Sequence, residues 1–198
     1  MFPAYRTVNL PNLLSCLRVA LIPVLVEALL AGRFAVAFAV FTVAALSDLL
    51  DGILARALRQ SSRVGAYLDA AADKLLFVTI ALVLSLPLDH LTYHIPIGLV
   101  LLMMGRDVVI GAGAFLLYRR AGVSDFPPSI VGKAHTLLQG LMLGGALLVN
   151  LGLGRLELAV HDLVALTALT SLISGAHYAW RGVAHFRTLR RALVTVIR

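Results

Sequence analysis

Asp48, Asp51, Asp69 and Asp73 lie within one stretch, Ser47 to Lys74, of a chain otherwise apolar enough to live in lipid. Asp48 and Asp51 are three residues apart and Asp69 and Asp73 four, so on helices each pair shares a face. Gly65, Asp69 and Asp73 fall at four-residue steps along one stripe. Gly52 and Ala55 leave bare backbone beside the first pair, where something bulky can lie close. Four carboxylates converging at a membrane boundary repel one another and raise each other's pKa unless a cation sits among them. Oxygen-only donors suit hard ions, Mg²⁺ or Mn²⁺, rather than Zn²⁺. Arg56 invites an anionic ligand such as phosphate to share those ions. The competing reading has the aspartates capping helix ends or pairing with Arg56, Arg59 and Arg63. It does not account for a repeat on one stripe with small residues interleaved.

The run Asp48-x-x-Asp51-Gly52-x-x-Ala55-Arg56, eight residues, Gly65-x-x-x-Asp69-x-x-x-Asp73 resembles the CDP-alcohol phosphatidyltransferase signature at every fixed position. The resemblance implies a six-helix membrane enzyme that moves a substituted phosphate from a CDP-linked donor, here CDP-diacylglycerol, to an alcohol. It implies that Asp48, Asp51 and Asp69 hold two divalent cations, with Asp73 contributing to the site. Gly52, Ala55 and Gly65 would admit the CDP moiety, and Arg56 would bind its phosphates. Asp73 is the candidate general base for the acceptor hydroxyl, with CMP leaving. A carboxylate with a reference pKa near 4 is a weak base for an alcohol. Metal polarisation and positioning must then supply much of the rate.

Asn9-x-Pro11-Asn12-x-Leu14-Ser15-x-x-Arg18 and Gly132-Lys133-x-x-Thr136-x-x-Gln139 resemble the branch that makes glycerol-headed phospholipids. That branch includes phosphatidylglycerophosphate synthases, which use glycerol 3-phosphate, and CDP-dependent cardiolipin synthases, which use phosphatidylglycerol. Gly105-Arg106-Asp107-Val108-Val109 is closer to the cardiolipin type. Ala70 replaces the proline usual after the third aspartate, a departure away from the chemistry. A glycerol-headed acceptor is therefore expected, with inositol phosphate or serine as the alternative within the family.

The elements that must position these groups follow from composition. With 60% hydrophobic residues and a strongly positive mean hydropathy, the chain reads as an integral membrane protein, all-α, with one domain over residues 1–198. The formal charge of +7 would suggest nucleic acid in a soluble protein; here it points to cytoplasmic loops and anionic lipid. Cys16 is the only cysteine, which excludes an intramolecular disulfide and a thiolate metal site.

Residues Met1 to Leu10 read as an interfacial lead-in carrying Tyr5 and Arg6. Six spans follow, at Pro11–Ala31, Phe34–Ala57, Val64–Leu86, Ile95–Tyr118, Gly132–Leu151 and Leu156–Trp180. Arg18 interrupts the first, and no small-residue cleavage site follows it, so a retained span is expected rather than a signal peptide. The tail from Arg181 alternates arginine with apolar residues and reads as an amphipathic surface helix bound to anionic lipid.

The short loop after the second span makes an antiparallel pair and puts both aspartate pairs at one membrane face. That face receives Arg6, Arg56, Arg59, Arg63, Arg119, Arg120, Lys133 and the five tail arginines, whereas the other has only Arg33 and Arg155. The aspartates and both termini are expected on the cytoplasmic side.

Arg18, Lys74 and Arg106 remain inside spans, where a centred charge costs about 2.5–3.5 kcal/mol on insertion scales. Lys74 either pairs with a neighbouring carboxylate or snorkels. Arg106 either pairs with Asp107 or another helix, or grips an acceptor's phosphate through its planar fork. Lys133, at the cytoplasmic end, is the second candidate phosphate ligand. Lys133, Thr136 and Gln139 are spaced three apart on one slowly drifting polar face, as are Asn12, Ser15 and Arg18. Three helices are thus expected to present polar faces to a cavity.

His135, His161 and His177 lack ligand spacing and suit packing or interfacial roles. Gly140 and Gly144 form a small-xxx-small pair, for internal packing or a homodimer contact. A small divalent-metal transporter would share many of these features, but it needs polar residues on both sides. Opposite the aspartates only Asp89, His90 and His94 offer any.

Overall fold

The computed structural model describes the backbone at residues 10–58, 63–121 and 130–196, and side chains at residues 15–48, 71–115, 119 and 131–180. The lead-in at residues 1–9 and the connection at 122–129 lie outside the described residues. Among those described, all regular structure is helical: α1 Leu10–Leu30, α2 Phe34–Leu58, α3 Arg63–Ser85, α4 Ile97–Ala121, α5 Ile130–Asn150 and α6 Glu157–Val196, with a 3-10 turn at Gly154–Leu156 before α6.

These bounds follow the apolar runs to within a few residues, because the breaks carry physical stop signals. Gly32, at φ +66°, ends α1: its N–H donates to the Leu29 carbonyl and that of Arg33 to the Ala28 carbonyl. Gly152, at φ +107°, ends α5 in the same way, with Gly152 donating to Val149 and Leu153 to Leu148. Both are the left-handed glycine cap that satisfies the last carbonyls of a helix. α6 departs from expectation. Its helix runs unbroken for 40 residues through the tail, so the backbone from Arg181 to Val196 continues α6 rather than forming a separate element. Gly182 alone does not stop a ladder of backbone hydrogen bonds.

Two compact units emerge. The first comprises residues 1–95 and 143–158: α1, α2, α3, the turn after α3 and the end of α5. α1 packs along both α2 and α3. Ser15, Arg18, Leu25 and Leu29 lie on its buried face, at the helical spacings of three, four or seven. Phe34, Ala37, Phe41, Ala44 and Ser47 do the same on α2, and Ala72, Leu76, Ile80 and Leu84 on α3. The stripes that build this core thus lead straight to Asp48 and Asp73.

At the other end of α3, Asn150 clamps the following turn. Its Oδ1 accepts from the backbone N–H groups of Thr92 (2.8 Å) and Tyr93 (3.0 Å), and its Nδ2 donates to the carbonyls of Tyr93 (3.0 Å) and Ala146 (2.9 Å). The whole hydrogen-bonding capacity of the amide is used. His90 adds a ring-nitrogen contact of 2.9 Å to the Leu29 carbonyl at the end of α1. Burial, and secondarily the Glu157 carboxylate, push the Tyr93 hydroxyl above its ordinary pKa and keep it neutral. A Cβ on Gly144 would stand 3.0 Å from the Phe41 ring, so this member of the small-residue pair serves internal packing.

The second unit comprises residues 96–142 and 159–198. Two helical segments, Ile97–Phe115 and Gly154–Trp180, are long and apolar enough to cross a membrane. Leu101, Val108 and Phe115 on α4 and Leu158, Leu172 and Trp180 on α6 are exposed. Apolar exposure on this scale belongs against lipid rather than water. The chain is a membrane protein.

Candidate active site

Arg18 is the hinge of the aspartate site. It lies on the buried face of α1 with its side chain fully enclosed, at 0% exposure. Its Nη1 donates to Asp48 Oδ1 at 3.3 Å and also to Asp73 Oδ1. The two carboxylates arrive from α2 and α3, 30 and 55 residues along the chain, and remain 46% and 26% exposed. A buried cation with carboxylates open to the outside is a site with a floor and a mouth. The sequence placed Arg18 beside a cavity or partner; the structure names the partners.

Asp51, Gly52, Ala55 and Arg56 fall on α2, and Gly65 and Asp69 on α3, so the spacing of the signature does rest on helical backbone. Their side chains lie outside the described residues. Among the described residues no three His, Cys, Asp or Glu side chains converge as a metal group. Asp48 and Asp73 do meet at a single nitrogen, and their oxygen-only chemistry fits a hard divalent ion. Lys74, beside Asp73, is exposed.

In the second unit, Arg106 on α4 binds Asp107 through Nη1 at 2.6 Å. Its Nε (3.3 Å) and Nη2 (3.0 Å) both donate to the Ser174 hydroxyl on α6. These bonds use three of the five guanidinium N–H groups, and the side chain is only 10% exposed. Two donors remain uncommitted among the described residues. The adjacent ion pair foreseen as the structural alternative is present.

The polar face expected on α5 is divided. Lys133 and Thr136 are exposed, with the Thr136 hydroxyl bonded to the Gly132 carbonyl at 3.2 Å, whereas His135 and Gln139 are buried. Steps of three turn a helix 60° short of a full circle, so Lys133 and Gln139 end about 120° apart. His135 and Gln139, four apart, stay together. His135 Nδ1 lies 3.1 Å from Thr170 Oγ1. That hydroxyl donates to the Leu166 carbonyl at 2.9 Å, so its oxygen accepts from the ring N–H.

Sequence reasoning missed the row that receives these groups. Thr167, Thr170, Ser171 and Ser174 follow i, i+3, i+4, i+7 spacing down α6 and line the inside of the second unit. Helical periodicity of hydroxyl residues was the available signal.

Asp48 of α2 and Asp73 of α3 meet at Arg18, and comparison of the sequence gives the class to which the chain belongs. The chain belongs to the CDP-alcohol phosphatidyltransferase family, whose profile matches residues 8–181. It is 41% identical over 142 residues to a putative cardiolipin synthase of Mycobacterium tuberculosis, covering 70% of this chain and 63% of the relative. The match therefore spans less than two thirds of that relative's length. It is 31% identical over 175 residues to a CDP-diacylglycerol--glycerol-3-phosphate 3-phosphatidyltransferase of Aquifex aeolicus, covering 88% of this chain and 96% of the relative. A probable phosphatidylglycerophosphate synthase of M. tuberculosis is 30% identical over 192 residues, with 94% and 87% covered.

Proposed function

We propose that the chain is a phosphatidyltransferase that moves the phosphatidyl group of CDP-diacylglycerol to the hydroxyl of a glycerol-headed acceptor and releases CMP. The observation that carries this reading is the meeting of Asp48 and Asp73, from separate helices, at one buried cation. The relatives' names, a cardiolipin synthase and a glycerol-3-phosphate phosphatidyltransferase among them, support a glycerol-headed acceptor, and we take phosphatidylglycerol and glycerol 3-phosphate as the two candidates.

Asp48, Asp51 and Asp69, with Asp73 contributing, would hold two divalent cations, Mg²⁺ or Mn²⁺. When bound, these ions neutralise the pyrophosphate and the charge growing on the departing CMP. Arg56 binds the donor phosphates, and Gly52, Ala55 and Gly65 let the CDP moiety approach the backbone. Asp73 accepts the proton of the acceptor hydroxyl as that oxygen bonds to the diacylglycerol-bearing phosphorus and the bond to CMP breaks. Arg106 offers its two uncommitted N–H groups to an acceptor's phosphate, and Lys133 provides a second, point-like charge.

The same reading takes residues 1–198 as a single domain of six spans. It places the aspartates and both termini at the cytoplasmic face and the basic tail against anionic lipid. Exposed apolar side chains on α1, α2 and α3, such as Val24, Val43 and Leu75, support spans beyond α4 and α6.

The test is CMP release by purified protein in mixed micelles with CDP-diacylglycerol and Mg²⁺ or Mn²⁺. Glycerol 3-phosphate and phosphatidylglycerol are supplied separately, with inositol 1-phosphate and serine as controls. Release with either glycerol-headed acceptor is expected. Release only with a control acceptor, or with none, overturns the acceptor assignment.

A further inference from the structure

We propose that Arg18 is the resident cation of the aspartate site, holding the carboxylates together before divalent ions arrive and yielding them as an ion binds. This rests on the reading of the aspartates as cation ligands.

Three observations lead to it. Arg18 is fully enclosed on the packed face of α1, so its charge must be met from within the protein. Asp48 and Asp73, two positions of the signature on two other helices, both meet that charge. One nitrogen, Nη1, touches both carboxylates, and so stands where an ion shared by them would stand. A guanidinium cannot lose its proton in a protein. It therefore cannot make way for a metal by becoming neutral, as a lysine can; it must give ground, and its positive charge opposes the incoming ion. Without some cation, Asp48 of α2 and Asp73 of α3 would face one another unneutralised. Arg18 supplies that cation from the fold itself.

A purely structural ion pair would show the same contacts but would be indifferent to metal, and this separates the two. Mn²⁺ binding is titrated by the paramagnetic resonance signal of the free aquo ion, on the full chain in detergent micelles, for the native protein, Arg18→Gln and Arg18→Lys. Heat unfolding is followed in EDTA and in saturating Mn²⁺.

A neighbouring charge moves a carboxylate's proton affinity by about 1–3 log units. A divalent ion binding to the same oxygens should feel at least one of them. Arg18→Gln is expected to bind Mn²⁺ about tenfold more tightly than the native protein, on that scale. Arg18→Lys, which keeps the charge, should stay near the native affinity. Arg18→Gln should melt below the native protein in EDTA, with the gap narrowing in Mn²⁺. Should it fail to fold in EDTA, recovery of the folded state with Mn²⁺ is the same result in stronger form.

Equal or weaker Mn²⁺ binding by Arg18→Gln, an unchanged melting gap, or no recovery with Mn²⁺ overturns the resident-cation role while leaving the aspartate site in place. Absence of Mn²⁺ binding by the native protein overturns the cation-site reading and this proposal with it.

Discussion

Arg18 and Arg106 are both arginines held inside apolar helices, yet they find their counter-charges over very different distances in the chain. Arg106 pairs with the very next residue, Asp107, and leans on a single hydroxyl of another helix. Arg18 reaches carboxylates 30 and 55 residues away, on two other helices. A pair between neighbours needs little tertiary structure. It lowers the cost of carrying a charge into lipid and leaves spare N–H groups that can greet a ligand. A pair that joins three helices exists only in the assembled fold, and anything that rearranges the site must act on it. On the function proposed above, the first unit gathers charge for chemistry and the second presents donors for recognition.

The sharpest way to break this division is at Asp73. Asp73→Asn should lower turnover by about 10²–10⁴-fold, the range of general base catalysis, while donor binding persists. Donor affinity lost in step with turnover would make Asp73 a binding residue only. Arg106→Ala comes next. Losing hydrogen bonds to a charged group, at about 1.5–3 kcal/mol, should raise the acceptor KM about 10–100-fold and leave the donor KM nearly unchanged. Equal effects on both substrates would erase the contrast between the units.

Ser174→Ala removes the oxygen on which the Arg106 fork rests. Ser174 accepts two hydrogen bonds from the charged guanidinium, and because only the positioning of the fork is lost the acceptor KM should rise about 3–10-fold, with kcat retained. The smallest effect is expected on heat stability under chelation. EDTA should stop CMP release yet lower the melting temperature of the native protein by only a few degrees, because Arg18 remains to neutralise the carboxylates. A collapse of heat stability on chelation would show that the guanidinium does not fill that role.

Much of this was legible in the sequence, and for identifiable reasons. Helix ends were readable because Gly32 and Gly152 are local stop signals, and the helical backbone under the aspartates because apolar runs flank them. The partners of Arg18 were not readable, since nothing local links residue 18 to residues 48 and 73. The face assigned to α5 failed on angular drift: three-residue steps rotate steadily away from the core, carrying Lys133 out while Gln139 turns in. The hydroxyl row of α6 was periodic but lay within an apolar run, where serine and threonine pass for ordinary filler. The end of α6 was set at Trp180 by a change in composition, to which backbone hydrogen bonds are indifferent.

Asn150 has a consequence for the order in which the protein is made. The first unit is not continuous in the chain, and the side chain that satisfies the Thr92 and Tyr93 amides stands 58 and 57 residues later. At about 5–20 residues per second, a ribosome needs several seconds to cover that distance. Throughout that interval α1 to α3 are already synthesised and their last turn is without its clamp. The first unit can close only after α4 and α5 have been synthesised, so a chain cut short before residue 150 ends with an unfinished first unit, whatever the state of its aspartates.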